Sequence, residues 1–211
     1  MYLSAGKAVS IVLEIIAPAL KGRDVTDQAA IGGILIDLDG TEFKTILSGN
    51  TLCSISLACT RAAANRVYLP LYRYLNPAEI KTIPLPTVNC ISGGSYQKGS
   101  VPFQERTVFP YKAVSIMKAV QIIYQIFRLT PVVIRDCQNG RPVVPGILHG
   151  RHAPSPDLTV SFDILYEAAW RCGASGKIAV GADCAASELY NPERKTYDFL
   201  GKEIALDALL G

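Results

Sequence analysis

The sequence predicts an α/β protein in two parts: a helical first third, then short strands alternating with helices. Three observations carry this. Apolar residues recur at helical spacing within residues 5–20, 31–38 and 52–59. A polar break follows at residues 76–81. Beyond it, apolar or β-branched runs at 83–91, 103–109 and 177–180 alternate with helical periods at 116–127 and 162–169. The boundaries expected from this pattern are a first domain over residues 1–75 and a second over 83–211.

In the first part, Val9, Val12, Leu13 and Ile16 share one helix face, and Pro18 should end or bend that helix. A second helix begins at Thr26 or Asp27, either of which can cap it. Its face is Ile31, Ile34, Leu35 and Leu38, and Asp39-Gly40-Thr41 is a stop-and-turn signal. A third helix follows Ser48 with Leu52, Ile55, Ser56 and Cys59 on one face. In the second part, residues 83–91 and 103–109 read as strands. Glu105 and Arg106 interrupt the second strand and should point at a site or at solvent. Ile116, Ala119, Val120, Ile123 and Phe127 give a covering helix, and residues 130–144 are less regular. Asp157 caps a further helix whose buried face is Phe162, Leu165, Tyr166 and Ala169, with Trp170 in the core at its end. Residues 203–211 form a short terminal helix.

The bulk numbers exclude several classes. The chain has 211 residues, 49% hydrophobic and 18% charged, which is globular composition. A net charge of +3 with no block of like charges argues against nucleic acid as a partner. Apolar runs are short and interrupted, so no membrane span is expected, and no leader is legible at residues 1–7. The six cysteines form no C-x-x-C pair, so a zinc site is not indicated. They sit in apolar patterns as buried thiols do, and a reduced, cytoplasmic setting is expected.

Asp183 closes the apolar run 177–180, where a strand-end carboxylate can hold a hard cation such as Mg²⁺. On local pattern alone, a turn or helix-cap aspartate is the commoner job. His149 and His152, the only histidines, can be read as a metal or acid/base pair at i, i+3. Two loop histidines is the preferred reading, since two ligands do not make a metal site.

Three ordered stretches add a resemblance. Gly181-Ala182-Asp183-Cys184-Ala185-Ala186-Ser187-Glu188-Leu189-Tyr190, with residues 195–199 after it, closely resembles the enolase family. Asp39-Gly40-Thr41-Glu42-Phe43-Lys44, then Asn50 to Ala58, is similar to the enolase N-terminal-domain signature, with Phe43 where Asn is usual and Ser48-Gly49 where Gly-Ala is usual. Pro70-Leu71-Tyr72 resembles the family's linker into its barrel. Leu85-Pro86, Asn89, Gly93-Gly94-Ser95 and Gln104-Glu105 are similar to the run that lines the enolase pocket. Tyr96 stands at the family's histidine position and Arg106 where an apolar aromatic is usual. Ala153-Pro154 matches the tail of a string in which His149 falls at the position of the catalytic glutamate.

The resemblance implies an α+β capping domain followed by a partial TIM-like barrel. Residues 1–75 would be the helical part of the enolase capping domain, and residues 83–211 the first half of the enolase-type barrel. It implies Mg²⁺-dependent interconversion of 2-phosphoglycerate and phosphoenolpyruvate, a glycolytic dehydration. Gln104, Glu105 and Tyr96 would bind substrate, Asp183 would bind Mg²⁺, and His149 would stand at the acid's position. The family's remaining metal carboxylates and its lysine base lie in the second half of its chain. The expectation is therefore a truncated enolase relative, inactive alone and prone to self-association or homo-oligomer formation. The alternative to an enzyme is a non-catalytic relative with a binding or structural role.

Overall fold

A computed structural model describes residues 5–78, 82–94, 101–146 and 149–210. The chain forms two compact units, Met1–Lys81 and Thr82–Gly211.

The first unit is helical. α1 (Gly6–Ile11) runs through a π-helical segment (Val12–Ile16) into α2 (Ala17–Leu20). The expected face is corrected here: Val9 and Leu13 are exposed, whereas Ile11 and Ile16 are buried. A π turn closes at i→i+5, so it aligns residues five apart, and Ala17 N–H donates to Val12 O. Pro18 does not end the helix, because it falls in the first turn of α2, where its missing N–H costs little.

α3 (Gln28–Asp39) is capped by Asp27, whose side chain accepts from Ala30 N–H. α4 (Gly49–Arg66) packs on it, and α5 (Leu71–Leu75) follows. Ile31, Leu35, Leu47 and Leu52 join Ile11 and Ile16 in one core. Gln28 ties α3 to α4, donating to Ser56 and accepting from Thr60. Between these helices, Asp39 is 2% exposed and organises the loop. It accepts from the backbone N–H groups of Thr41, Ile46 and Leu47 and from the Thr41 hydroxyl. Gly40 adopts φ 63°, the left-handed helix stop that a side chain resists.

The second unit holds a four-stranded sheet in the order β3-β1-β2-β4, covered by two helices. Its elements are β1 (Val88–Ser92), β2 (Glu105–Phe109), α6 (Ile116–Cys137), β3 (Arg151–His152), α7 (Leu158–Arg171) and β4 (Ala179–Asp183). β1 pairs parallel with β3, while β2 runs antiparallel to both β1 and β4. The β1–β2 connection carries no crossover helix among its described residues, which suits antiparallel pairing. A small meander, β5 (Tyr190–Asn191), β6 (Thr196–Phe199) and β7 (Lys202–Ile204), and then α8 (Leu206–Leu210) complete the unit. The sheet is mixed and does not close into a barrel.

Both covering helices are rotated from the faces expected. α6 buries Ala119, Ile122, Ile126, Thr130, Val133 and Ile134 and continues through Pro131. α7 buries Ser161, Ile164, Leu165, Ala168 and Ala169, leaving Tyr166 and Trp170 exposed, Trp170 at 65%. Each helix carries apolar residues on more than one face, so spacing alone could not choose between them. α6 is long and apolar enough to cross a membrane by length and composition. Its buried stripe, however, belongs to the core shared with Cys90, Ile91 and Val108 of the sheet and with Ile164 and Leu165.

The cysteines also depart from expectation. Only Cys90 is buried, its thiol pushed up to about 12 by burial, while Cys53 and Cys137 are exposed. Isolated apolar positions on a helix surface satisfy the same sequence pattern as core positions.

Burial pushes the Asp39 carboxyl up, but the hydrogen bonds from Thr41, Leu47 and Ile46 outweigh it and hold the group below its ordinary value. A depressed carboxylate contributes stability above its unfolded value and loses it as pH falls through the folded one. Asp39→Asn should therefore lower the thermal midpoint at neutral pH, and the deficit should shrink below about pH 3.8, followed by circular dichroism.

Candidate functional site at the strand ends

Because β2 runs against its neighbours, its first residue lies level with the last residues of β1, β3 and β4. The register sets His152, Ser92, Glu105 and Asp183 side by side across the sheet. Strands lie about 4.8 Å apart, so this row is roughly 14 Å long. Side chains in register share a face. The row therefore gathers two carboxylates, a hydroxyl and an imidazole along one edge of one face.

Asp183 is exposed. Its Oδ1 accepts from Ala185 N–H at 2.9 Å, holding the turn after β4. Its Oδ2 accepts from Gln104 Nε2 at 3.5 Å. Asp183 thus does the turn-holding job that the local pattern suggested, and it also faces Gln104 and Glu105. Burial pushes the Glu105 carboxyl up from its ordinary value, and the Asp183 charge adds to the rise. Like charges this close favour either a proton or a shared cation. Two adjacent carboxylates with a neutral amide beside them form a set of hard oxygen donors, the type that suits Mg²⁺ with water or substrate oxygens completing its shell.

Ser92 is 1% exposed and lies under the turn that leads into β3. A side chain at Gly146 or Gly150 would come within 2.7 or 2.6 Å of Ser92, so this close approach requires glycine at both places. His149 sits exposed on that turn with φ 66°, beside β3 and at the opposite edge of the sheet from β4. The structure brings Gln104, Glu105 and Asp183 together and leaves His149 outside their group. Tyr96 lies outside the described residues.

His152, not His149, occupies the row, with Nδ1 2.7 Å from Ala153 O. Sequence reading missed this, as it missed Ser92. The signal was the alternation of β3 and β1, legible only once their pairing is known. Among the described residues, no group of three or more His, Cys, Asp or Glu side chains is poised to hold a metal ion.

Arg106 corrects the expectation that it should reach a site or solvent. It lies on the opposite face from Glu105, fully buried. Its guanidinium stacks over Phe103 and Phe162 at 5.3 and 5.7 Å, and Nη1 donates to Glu105 O. Among the described residues, Nε and Nη2 have no hydrogen-bond partner. Burial lowers its pKa, with the Cys184 sulfur acting weakly against that. Strand alternation forces this outcome: a carboxylate facing the site at 105 sends residue 106 into the helix-covered side.

A mixed sheet backed by helices, with acidic groups gathered at strand ends, defines an α/β domain preceded by a helical one. Two family matches agree: enolase, N-terminal domain, over residues 2–75, and enolase, C-terminal TIM barrel domain, over residues 80–208. The chain belongs to the enolase family. It is 36% identical over 207 residues to the enolase of Metamycoplasma arthritidis (strain 158L3-1), covering 95% of this chain and 45% of that relative. It is 35% identical over 203 residues to the enolase of Methanococcus vannielii, covering 96% of this chain and 48% of that relative. The chain thus spans about half the length of the curated relatives it matches.

Two expected outcomes follow from this geometry. Replacing Arg106 by Met removes two unpaired buried donors and keeps the packing volume, so it should stabilise the chain by about 1 to 3 kcal/mol in urea unfolding. Glu105→Gln removes a carboxylate whose folded pKa is raised. Such a group stabilises fully below its unfolded value and loses that contribution as pH rises through the folded one. The Gln variant should therefore gain stability relative to the parent above about pH 4.5, and match it below, by thermal melts across pH.

Proposed function

We propose that this chain carries part of an enolase site, built on Asp183, Glu105 and Gln104, for Mg²⁺-dependent interconversion of 2-phosphoglycerate and phosphoenolpyruvate. The observation that carries the reading is the register Glu105↔Asp183, with Gln104 bonded to Asp183. In this reading residues 1–75 are the helical part of the capping domain and residues 83–211 the first half of the barrel. The reading includes a cytoplasmic setting, supported by six free thiols. It also includes homo-oligomer formation, supported by the edge strand β4, whose outer side has no strand partner among the described residues.

Asp183 would hold the cation, with Gln104 and Glu105 lining the substrate pocket beside it, and the cation would offset the repulsion that adds to the rise of Glu105. When bound, Mg²⁺ supplies positive charge for a developing enediolate. The protein's own part is positional. Gln104 orients the Asp183 carboxylate through its amide, and the Ala185 N–H fixes the other oxygen. Tyr96, at the family's histidine position, would offer a neutral donor to a substrate oxygen, where an imidazolium would bring charge.

A second reading, a non-catalytic relative acting as a binding or structural protein, has its own support. His149 stands on an exposed turn at the position where the resemblance puts a glutamate. The two readings part in a coupled assay for phosphoenolpyruvate formation from 2-phosphoglycerate with and without Mg²⁺. Turnover that Asp183→Ala lowers by more than a hundredfold establishes the first reading. A folded chain without Mg²⁺-dependent turnover establishes the second.

A further inference from the structure

We propose that the outer face of α6 docks on an anionic lipid surface. The helix lies along the bilayer and does not span it, because its inner face belongs to the core of the second unit. This binding is independent of the enolase reading.

α6 turns a second apolar stripe outward. Met117, Val120 and Tyr124 follow helical spacing and are all exposed, Met117 at 75%. They line one groove of about 520 Å³ together with Lys118. Val114, just before the helix, is 92% exposed. It borders a neighbouring cavity with Ile83 and Leu85, which are exposed as well. Contiguous exposed apolar groups of this kind mark a surface that meets a partner.

The charges around the stripe have one sign. Lys112, Lys118 and Lys177 share the wall of a further cavity, of about 210 Å³, with Val114. Arg128 lies over the Tyr124 ring at 5.9 Å. No Asp or Glu occurs between residues 106 and 135 or between 168 and 182. Asp136 and Glu167, which follow and precede those stretches, are both paired with Arg171. Lys118 and Lys177 donate to Gln121 Oε1 and Gly173 O, both neutral acceptors. Among the described residues, none of these four cations pairs with a carboxylate.

That charge pattern selects the occupant. A second copy would bring the same cations face to face, and like charges oppose docking. Protein interfaces are depleted in Lys, whereas three of the four cations here are Lys. Lysines around protruding apolar tips suit a bilayer boundary. There the tips enter the acyl region, and the long ammonium side chains reach anionic headgroups.

The test sediments the full chain with vesicles of phosphatidylcholine alone, or of phosphatidylcholine and phosphatidylserine at about a 7:3 ratio. The expected result is binding to the mixed vesicles only, weakening as salt is raised. Lys118→Gln should weaken it about fivefold, and Gln at 112, 118 and 177 together by about a hundredfold. Met117→Asp, at an exposed position, should weaken it by about tenfold or more. Each variant is checked for an unchanged fold by circular dichroism. Asp183→Ala should leave vesicle binding unchanged, so failure here and failure of the enolase reading stay distinct. No binding, equal binding to neutral vesicles, or binding that survives both Met117→Asp and the triple Lys variant overturns the proposal. A dimer that Met117→Asp disperses, without vesicle binding, gives this face to a second copy and overturns it too.

Discussion

Two carboxylates held opposite each other on adjacent strands set the terms for the second unit. Glu105 opens β2 and Asp183 ends β4, and five paired positions between the strands leave no freedom to slide them apart. A slip of one residue would send Asp183 to the opposite face and put Ala182 in its place. The core on the far side, including Val108 and partly buried Val180, holds that register. Packing energy on one face thus maintains electrostatic repulsion on the other. In the proposed reading, a bound cation would relieve that repulsion.

The same alternation explains the least comfortable residue in the chain. Arg106 lies buried on the helix-covered face, and it meets aromatic rings with no counter-charge within hydrogen-bond reach among the described residues. Cation–π contacts with two rings offset part of the desolvation, not all of it.

In the first unit, one buried carboxylate does for a loop what the sheet core does for the strands. Asp39 gathers backbone N–H groups from residues 41, 46 and 47, closing the passage from α3 to α4. This fixes where α4 begins, and so where its uncapped N–H groups point. The three departures from the family signature in this stretch, Phe43, Ser48 and Gly49, fall outside the positions that make these bonds. Phe43 is 80% exposed, so it contributes nothing to the loop's closure.

Much of this was readable in the residues. Asp27 as a cap, Asp39-Gly40 as a stop, the strands around Asn89 and Val108 and the carboxylate at the tip of residues 177–180 are local signals. Each depends on a short-range rule: capping, a left-handed glycine, a β-branched run. The membership of the family was readable for the same reason, as it rests on short strings. What the sequence left open was phase and partnership. Ile11 with Ile16, the rotation of α6 and α7, the burial of Arg106, and His152 in place of His149 all depend on which surface meets which. Those are decided between segments distant in the chain, where burial of a shared core outweighs the spacing preference of any one helix or strand.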